Sequence, residues 1–318
     1  MGDGNDADDP SSIEVTTPED DTGDETTADE EAASADADAA DPDDDRERVV
    51  LLTGAGSGIG AATAEQFHDA GWTVWATDLD ADALTGLPDG VHTATLDVTD
   101  AGDRERVVAR VVAEHGRLDC LVNNAGYAVP GAVEDVPVER AREQFDVLVH
   151  GPHGLLRESL PQLRESGGTA ITVTSVLGRT AIPGTGVYSA AKFAAEGLSD
   201  ALRMELADTD ADAVAVEPAW VRTNFEATAE DGLADLDRTD AYADVYDRYD
   251  DGVLDGGPLA VGPDRVAETI LEAAEAGDPA ARYPVGTVAQ AITAARYLPD
   301  PIADRLTVTV TKVVAALS

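Results

Sequence analysis

The stretch Val49-Val50-Leu51-Leu52-Thr53-Gly54-Ala55-Gly56-Ser57-Gly58-Ile59-Gly60 decides the fold of this 318-residue chain. It predicts a buried strand, a glycine-rich turn and the start of a helix that continues to Ala70. Glycines let the backbone turn sharply and approach a pyrophosphate, and the free N–H groups at the helix N-terminus bind its negative charge. The order of elements therefore predicts a dinucleotide-binding site. The residues of the turn expected at the cofactor are Gly54, Ser57, Gly58, Ile59 and Gly60.

A second apolar run, Trp72 to Thr77, predicts the next strand and leads directly to Asp78. This acid lies about 20 residues after the turn, where a carboxylate binds the ribose hydroxyls of NAD. The same carboxylate would repel the 2′-phosphate of NADP. A helix N-cap or a solvated turn acid is the alternative in a chain with so many acids. We predict that Asp78 binds the ribose and that NAD is preferred over NADP.

The rest of the chain alternates between strand and helix patterns. Apolar strand patterns lie near 48–53, 72–77, 91–96, 118–122, 169–174, 212–216 and 281–285. Long helical patterns lie near 100–115, 137–165 and 187–207. Seven strands joined by right-handed crossovers predict an α/β fold, a doubly wound seven-stranded parallel sheet with helices on both faces. Ligands bind at the carboxyl ends of such strands, which is where the glycine-rich turn, Asp78 and the motifs below all fall.

Lysine is almost absent from the chain, and one of its two lysines is placed where it has a chemical use. Lys192 follows Tyr188 by four residues, and Lys312 is the other lysine. Residues at this spacing share a helix face, so the ammonium and the phenol point the same way. A neighbouring cation favours the phenolate and lowers its pKa from about 10 toward the working pH. The pair is a candidate for general acid–base catalysis, although Tyr and Lys at this spacing are more often a solvated helix face.

Taken together, the motifs resemble those of the short-chain dehydrogenase/reductase family over essentially all of residues 46–318. The resemblance implies a single Rossmann-type domain with a substrate lid at about 224–262. Two further segments, Gly131–Asp135 and Arg296–Asp304, look most like the retinol and 17β-hydroxysteroid dehydrogenase-like branch. The motifs that carry the resemblance stand in the family's order: Thr53 to Gly60, Asn123-Asn124-Ala125-Gly126, Ser175, Tyr188-x-x-x-Lys192 and Pro218-Ala219-Trp220-Val221-Arg222-Thr223.

The resemblance implies hydride transfer between a nicotinamide cofactor and an alcohol or carbonyl compound. Ser175 would donate a hydrogen bond to the substrate oxygen, and Tyr188 would exchange its proton. Lys192 would lower the pKa of Tyr188 and hold the nicotinamide ribose. By the same resemblance, Asp97 and Val98 would contact the adenine of the cofactor, and Asn124 and Ala125 the adjacent ribose. Pro218, Val221 and Thr223 would lie at the nicotinamide side. Tyr188 and Lys192 also belong to the family's cofactor contacts.

Two positions depart from the family. Leu148 stands where the family has a catalytic asparagine, which helps to hold a water that links the lysine to solvent, and Ala219 replaces the usual glycine after Pro218. Two functions therefore stay open. One is an NAD-dependent (or NADP-dependent) oxidoreductase acting on a fairly apolar secondary alcohol or carbonyl, which the intact Ser175, Tyr188 and Lys192 favour. The other is a nucleotide-binding, weakly active or regulatory protein that senses NAD.

The charge of the chain is strongly negative. The formal net charge is −43, and residues 1–45 hold 19 acidic residues and no Lys or Arg, which leaves 45 acids against 21 bases, or −24, in the remainder. Residues 1–45 carry too few large apolar residues to offset the roughly 1–2 kcal/mol per residue that backbone ordering costs. We predict a disordered acidic tail with a solvating role, which we favour over partner binding. The scattered acids and the use of Arg for Lys resemble halophilic proteins.

Composition also narrows the partners and the compartment. The negative charge argues against nucleic acid and anionic membranes as partners. The longest apolar stretches fall short of the roughly 20 residues that span a bilayer, and the start of the chain lacks the features of a signal peptide, so we predict a cytoplasmic protein without an integral membrane segment. The single Cys120 excludes an internal disulfide, and no metal is expected. The expected partners are a small-molecule substrate and, as is usual in the family, further copies of the chain.

Two segments leave alternatives open. Tyr242, Tyr246 and Tyr249 stand at near-helical spacing, and they either line a bulky apolar pocket or belong to a small amphipathic helix that packs on the body. The run from Leu306 to Leu317 alternates apolar residues with threonine. It packs on the core, on a partner subunit or on a membrane surface, and the first two are favoured.

Overall fold

A computed structural model of the chain describes residues 47–223, 229, 233, 236–252 and 256–317. Residues 1–45 form a separate unit of the chain, and the predicted acidic tail lies outside the described residues. Part of the predicted lid between 224 and 255 also lies outside them. The sheet and its helices belong to the unit that begins at residue 46.

Seven strands form one parallel sheet, in the order β3-β2-β1-β4-β5-β6-β7. Each predicted strand is present within about two residues of its expected place, and the predicted doubly wound architecture is confirmed. In chain order the strands are β1 (Val49–Thr53), β2 (Thr73–Asp78), β3 (His92–Thr95), β4 (Cys120–Asn123), β5 (Thr169–Val173), β6 (Asp212–Pro218) and β7 (Arg282–Val285).

Helices cover both faces of this sheet, because its strands are apolar on both sides. Val50 and Leu52 of β1 belong to one core cluster, whereas Val49 and Leu51 belong to the other. Burying each such side chain contributes about 1.5–3 kcal/mol. The helices in the described residues are α1 (Gly58–Asp69), α2 (Ala101–His115), α3 (Val138–Phe145), α4 (Gly151–Ser166), α5 (Gly186–Glu205), α6 (Ala243–Asp250), α7 (Pro263–Glu275), α8 (Thr287–Ala295) and α9 (Asp300–Leu317).

The strand order reverses between β1 and β4. β1 pairs with β2 on one side and with β4 on the other, so the crossovers that follow these strands leave in opposite directions. A crevice opens at the carboxyl ends of the strands at such a switch point. The glycine-rich turn after β1 and the Asn124 segment after β4 border this crevice.

The predicted long helix at 137–165 is interrupted. A π-helical turn, Asp146–His150, separates α3 from α4 and carries Leu148. Turns of this kind are rare within helices and are frequent at functional sites. The interruption places Leu148 at the crevice, where the family has its asparagine.

The three lid tyrosines belong to a short helical segment that packs on the body, one of the two predicted alternatives. Tyr246 and Tyr249 are buried in α6. The hydroxyl of Tyr246 donates to Asp135 Oδ2 at 2.6 Å, and that of Tyr249 donates to the Pro183 carbonyl oxygen at 3.0 Å. The alternative in which these tyrosines line the apolar pocket is wrong, since none of the three is among the described residues that line the cavity at the carboxyl ends of the strands.

Within the described residues, no helix combines the length and the apolar composition needed to cross a membrane.

Candidate active site

A cavity of about 810 Å³ opens at the carboxyl ends of the strands. It brings together the residues that the sequence predicts for cofactor binding and catalysis, with Gly60 as the exception. Gly60 lies under the turn, where an added Cβ would stand 1.9 Å from the Gly54 carbonyl oxygen. The predicted residues that line the cavity are Gly54, Ser57, Gly58, Ile59, Asp78, Asp97, Val98, Asn124, Ala125, Ser175, Tyr188, Lys192, Pro218, Val221 and Thr223.

The glycine-rich turn is shaped by its neighbours. Gly54 has φ +68° and Gly58 has φ +53°, backbone conformations that other residues rarely adopt. A Cβ at Gly54 would come within 2.8 Å of Ala125 Cα, and one at Gly58 within 3.0 Å of Thr223 Cγ2. The turn is therefore packed between the segments that follow β4 and β6, and only glycine fits there.

The side chain of Asn124 holds the glycine-rich turn in place through hydrogen bonds. Its Nδ2 donates to the carbonyl oxygens of Thr53 at 3.0 Å and Gly54 at 3.1 Å. In return, the Thr53 hydroxyl accepts from the backbone N–H groups of Asn124 and Ala125 at 3.1 and 3.0 Å. These bonds lock the ends of β1 and β4 together, which holds the turn in the shape that a pyrophosphate requires.

Asp78 lies at the end of β2 against the same turn. Its Oδ2 accepts from the Gly56 N–H at 2.9 Å, and its Oδ1 accepts from the Asp80 N–H at 3.1 Å. The second contact is the turn-capping role foreseen as the alternative, so Asp78 does both: it caps its own turn and presents a carboxylate to the cavity.

Asp97 and Val98 form the far rim of the cavity. Asp97 Oδ1 accepts from the N–H and the hydroxyl of Thr99 at 2.8 and 2.7 Å. The Val98 carbonyl oxygen accepts from Arg104 at 2.6 Å. A dinucleotide lying across the ends of β1 to β4 would meet the glycine-rich turn, the carboxylate of Asp78 and this rim, and the three together fit it.

The candidate catalytic residues meet at the other end of the cavity. Ser175 follows β5, and its hydroxyl accepts from the Leu177 N–H at 3.1 Å and donates to the Pro218 carbonyl oxygen at 3.3 Å. A hydrogen bond also joins Ser175 to Tyr188. Lys192 Nζ lies 5.7 Å from the centre of the Tyr188 ring and donates to the Val173 carbonyl oxygen at 2.9 Å.

The proton affinities of these groups are set mainly by burial. Burial raises the pKa of Tyr188, and the hydrogen bond with Ser175 opposes the rise. Burial lowers the pKa of Lys192 to about 8, and the charge of Glu196 opposes this change. The expectation that Lys192 brings the tyrosine pKa below its usual value is wrong for the protein alone. The ammonium points to the Val173 carbonyl, and removal of the phenol from water outweighs its attraction.

Leu148 makes the wall beside Tyr188 apolar. Its side chain is only 3% exposed and packs in one cluster with Ala128, Val149 and Tyr188. A Cβ on Gly126 would meet Leu148 Cδ2 at 2.7 Å. The position that holds a polar side chain in the family is thus filled by tightly packed hydrocarbon.

Residues of α8 and α9 also line the cavity, although the sequence did not place these helices at the site. The run from Leu306 to Leu317 was expected to pack on the core or on a partner. Leu306 and Val310 are four residues apart and so share one helix face, a spacing that could have indicated a common surface. The residues of these two helices that line the cavity include Val288, Ala291, Ile292, Leu306, Thr307, Val310 and Thr311.

Outside the cavity, His92, Glu114 and His115 bring potential metal-ligand atoms within 4.8 Å of one another. The Trp75 indole N–H donates to His115 Nε2 at 2.9 Å, which occupies the lone pair that a metal would need. Arg110 Nε donates to Glu114 Oε1 at 2.7 Å. The cluster is explained by packing around the buried Trp75, and we assign no metal to it.

Comparison with known proteins places these features in a family. The family model described as short chain dehydrogenase matches residues 48–234. The NADPH-dependent 3-dehydrocapnine reductase of Ornithobacterium rhinotracheale is 32% identical over 272 residues, which cover 81% of this chain and 95% of that protein.

Solved structures agree with this match. A short-chain dehydrogenase from Streptomyces avermitilis is 32% identical, with a TM-score of 0.71, over 83% of this chain and 96% of its own. The 3-ketoacyl-(acyl-carrier-protein) reductase of Brucella melitensis, solved with NADH, is 25% identical, with a TM-score of 0.64, over 75% and 96% of the two chains. The proteins similar to this chain thus include one named as NADPH-dependent and one solved in complex with NADH. The chain belongs to the short-chain dehydrogenase/reductase family of oxidoreductases.

Proposed function

We propose that this protein transfers hydride between NAD and a fairly apolar secondary alcohol or carbonyl compound. The observation that carries the proposal is the meeting of Ser175, Tyr188 and Lys192 at one end of a cavity whose other end holds the glycine-rich turn and Asp78. Family membership supports oxidoreductase chemistry on a CH–OH group or carbonyl.

In the proposed mechanism, bound nicotinamide supplies the hydride chemistry, and the protein handles the proton. The Ser175 hydroxyl donates a hydrogen bond to the substrate oxygen and keeps it near Tyr188. Because burial raises the pKa of Tyr188, the residue is a phenol at neutral pH and is ready to protonate a carbonyl oxygen during reduction. In the opposite direction, a protonated Lys192 favours the phenolate that must accept the alcohol proton.

The walls of the cavity support an apolar substrate. Its apolar lining includes Leu148, Leu177 and Ile182, together with Val288, Ile292, Leu306 and Val310 of α8 and α9. Each methylene transferred from water into such a surface contributes about 0.8 kcal/mol. We therefore propose a substrate whose reacting carbon carries an alkyl or ring portion that lies between Leu148 and α9. The two relatives named above as reductases are named for keto or dehydro substrates.

Asp78 leads to a prediction about cofactor choice. Placing the 2′-phosphate of NADP beside a carboxylate costs several kcal/mol, so we expect kcat/KM to favour NAD by more than about 100-fold. Asp78→Ser should narrow the preference at least about tenfold. It should also raise the KM for NAD, because the Gly56 N–H loses its partner. Initial rates with both cofactors measure this, and equal use of NAD and NADP by the unaltered protein would refute it.

The neighbouring acid Asp80 provides a matched control for this test. It is exposed and does not line the cavity as Asp78 does. Asp80→Ser changes the net charge by the same amount, so we expect it to leave the NAD preference within about twofold of the unaltered value.

Leu148 leads to a second prediction. In the family, the asparagine at this position helps to exchange protons with solvent, and general acid–base catalysis is typically worth about 10²–10⁴-fold, which bounds the gain available. We expect Leu148→Asn to raise kcat or leave it unchanged. It should lower stability by about 1–3 kcal/mol, because its amide would be buried against apolar neighbours. Leu148→Met, which adds no polar group, serves as the packing control. A Leu148→Asn protein that folds normally and loses activity would contradict the assigned role of the position.

The same apolar wall favours the alternative function, a weakly active protein that senses NAD. The two functions differ in turnover. An enzyme reduces NAD with some member of an alcohol panel, whereas a sensor binds NAD without reducing it. The complete Ser175, Tyr188 and Lys192 set supports the enzyme.

We also propose a cytoplasmic homo-oligomer of the retinol and 17β-hydroxysteroid dehydrogenase-like branch from a salt-loving microbe. The branch is supported by the segments Gly131–Asp135 and Arg296–Asp304, and the salt requirement by the charge of −43. The proposal of an oligomer is supported by the family, in which dimers and tetramers are usual.

A further inference from the structure

Two buried glutamates stand directly behind the candidate catalytic residues. Glu196 follows Lys192 by one turn of α5, and Glu217 precedes Pro218, whose carbonyl oxygen accepts from Ser175. Glu196 is 5% exposed and Glu217 is 1% exposed. Charged side chains are almost never buried this far unless they are paired. We refer to Glu196 and Glu217 as the carboxyl pair.

Arginines on two elements hold the carboxyl pair. From the segment after β5, Arg179 Nη1 lies 3.5 Å from Glu217 Oε1 and 3.9 Å from Glu196 Oε2. From β7, Arg282 Nε lies 3.0 Å from Glu196 Oε2 and 3.2 Å from Glu217 Oε1. Arg282 also binds Asp200, one turn beyond Glu196 on α5.

Burial and mutual repulsion favour one bound proton on the carboxyl pair. The charged groups around it are Asp200, Arg179, Arg282, Lys192 and Arg203, which pairs with Asp200 at 3.6 Å. Burial raises the pKa of Glu217 to about 7, repulsion from Glu196 adds to the rise, and the two arginines oppose it. Within the described part of the chain, Glu196 Oε1 has no hydrogen-bond partner, and Glu217 Oε1 meets Arg179 and Arg282 at ion-pair distances without a hydrogen bond to either. A proton shared by the pair would satisfy these oxygens.

A second cavity connects the carboxyl pair to solvent. It has a volume of about 310 Å³ and lies open at the surface beside β7 and α8. Its lining residues are Arg179, Glu217, Arg282, Pro284, Gln290, Thr293, Ala294 and Tyr297. Glu217 therefore reaches a water-accessible space on one side and borders the catalytic residues through Pro218 on the other. On the opposite side of Tyr188, the tightly packed Leu148 closes the wall with hydrocarbon.

We propose that the carboxyl pair carries protons between Lys192 and the solvent in this second cavity, in place of the route that Leu148 closes. The proposal rests on the proposed function. Lys192 Nζ donates to the Val173 carbonyl oxygen, and within the described residues it makes no ion pair with either glutamate, so the proton passes through a water molecule between them. During alcohol oxidation, an N–H bond of the Lys192 ammonium breaks as this water accepts the proton. The water gives up a proton in turn and an O–H bond forms on the pair, which leaves a neutral amine and a protonated carboxyl group. That O–H bond then breaks as a solvent water accepts the proton. Lys192 regains its charge from the proton that the substrate releases through Tyr188.

The proton affinities suit this exchange. Burial lowers the pKa of Lys192 to about 8, and burial together with repulsion from Glu196 raises the pKa of Glu217, so the two groups move toward each other in proton affinity. The pair must be deprotonated to accept a proton, so alcohol oxidation should slow as the pH falls below about 7. Removing the titrating carboxyl should remove this dependence.

The test is Glu217→Gln, which keeps the size of the side chain and removes its titration. Stopped-flow measurements on the full chain in molar KCl follow hydride transfer by nicotinamide absorbance and proton release by an indicator dye. We expect hydride transfer in the first turnover to stay within about twofold, and proton release to slow at least about tenfold. The decline in kcat below about pH 7 should disappear. The control is Glu268→Gln, the same change at an exposed glutamate that pairs with Arg265 outside this cluster, and it should retain the pH profile of the unaltered protein.

The outcomes separate the two proposals. If the unaltered protein transfers hydride and Glu217→Gln releases protons at the same rate and with the same pH profile, the proton route is wrong and the proposed function stands. If the unaltered protein binds NAD and transfers no hydride with any alcohol or ketone, the proposed function is wrong and the route falls with it.

Two measurements keep the test decisive if Glu217→Gln folds poorly. Infrared difference spectra of the unaltered chain should show a protonated carboxyl band that disappears with a midpoint near neutral pH, and its absence would overturn the proposal. Ala294→Leu narrows the second cavity without touching the carboxyl pair. It should slow proton release while leaving hydride transfer in place, and unchanged proton release would count against the route.

Discussion

Tyr188→Phe should lower kcat by about 10²–10⁴-fold, the usual contribution of a general acid–base group, while the Kd for NAD changes by less than about threefold. The ring would stay packed against Ala128, Leu148 and Val149, so the fold of the cavity is retained. The hydroxyl bound to Ser175 is all that is lost. Steady-state rates and calorimetric titration with NAD measure the two quantities separately.

Tyr249→Phe is the matched control for this variant. Tyr249 is another buried tyrosine, and its hydroxyl donates to the Pro183 carbonyl oxygen at 3.0 Å in the packing of α6. Losing that bond should cost about 0.5–1.5 kcal/mol of stability and leave kcat nearly unchanged. Near-normal turnover by Tyr188→Phe would reject the assignment of Tyr188 as the proton-transfer residue.

The unfolding temperature should rise steeply between low salt and molar KCl. The part of the chain after residue 45 carries a charge of −24, and this self-repulsion opposes the compact state. At about 1 M salt the Debye length falls to roughly 3 Å, which screens most of the repulsion. Relief of about 5 kcal/mol would raise the Tm by about 10–20 °C for a domain of this size.

Molar salt also weakens exposed ion pairs, but the stability lost in this way is smaller than the stability gained from screening the repulsion. Pairs such as Arg140–Glu143 and Arg265–Glu268 lie on exposed helix faces, and each contributes about 0–1 kcal/mol. Calorimetric scans across a series of KCl concentrations measure the net change in Tm that results from the two effects. Deleting residues 1–45 should preserve the rise, because the charge of −24 remains. A Tm that is flat from low to molar salt would contradict a halophilic origin.

The sheet could be predicted from the sequence because its signals are local. Each strand is a short apolar run bounded by turn residues, and all seven predicted runs form strands. The residues that line the cavity from the strand ends could be predicted for the same reason, since parallel strands place their carboxyl ends on one edge. Motifs that follow different strands in the sequence therefore lie close together at that edge of the folded sheet.

The parts that escaped prediction depend on tertiary packing. The π-helical turn at Leu148 interrupts a helix whose sequence pattern runs through it. The wall formed by α8 and α9 depends on where the chain returns after β7, which periodicity does not reveal. The pKa of Tyr188 was predicted from one neighbour, Lys192, whereas burial among apolar side chains determines its direction. The carboxyl pair likewise joins α5 to β6, two elements whose contact is not visible in the sequence.

The central claim is hydride transfer at the Ser175, Tyr188 and Lys192 site, and turnover with NAD tests it most directly. The purified chain in molar KCl is mixed with NAD and a series of secondary alcohols of increasing alkyl length, and the reduced nicotinamide and the ketone are both quantified. We predict that equal amounts of the two products form, that kcat/KM rises with alkyl length, and that Tyr188→Phe slows the formation of both products by about 10²–10⁴-fold. Saturable NAD binding without reduction by any alcohol, and without oxidation of NADH by the matching ketones, would contradict the account.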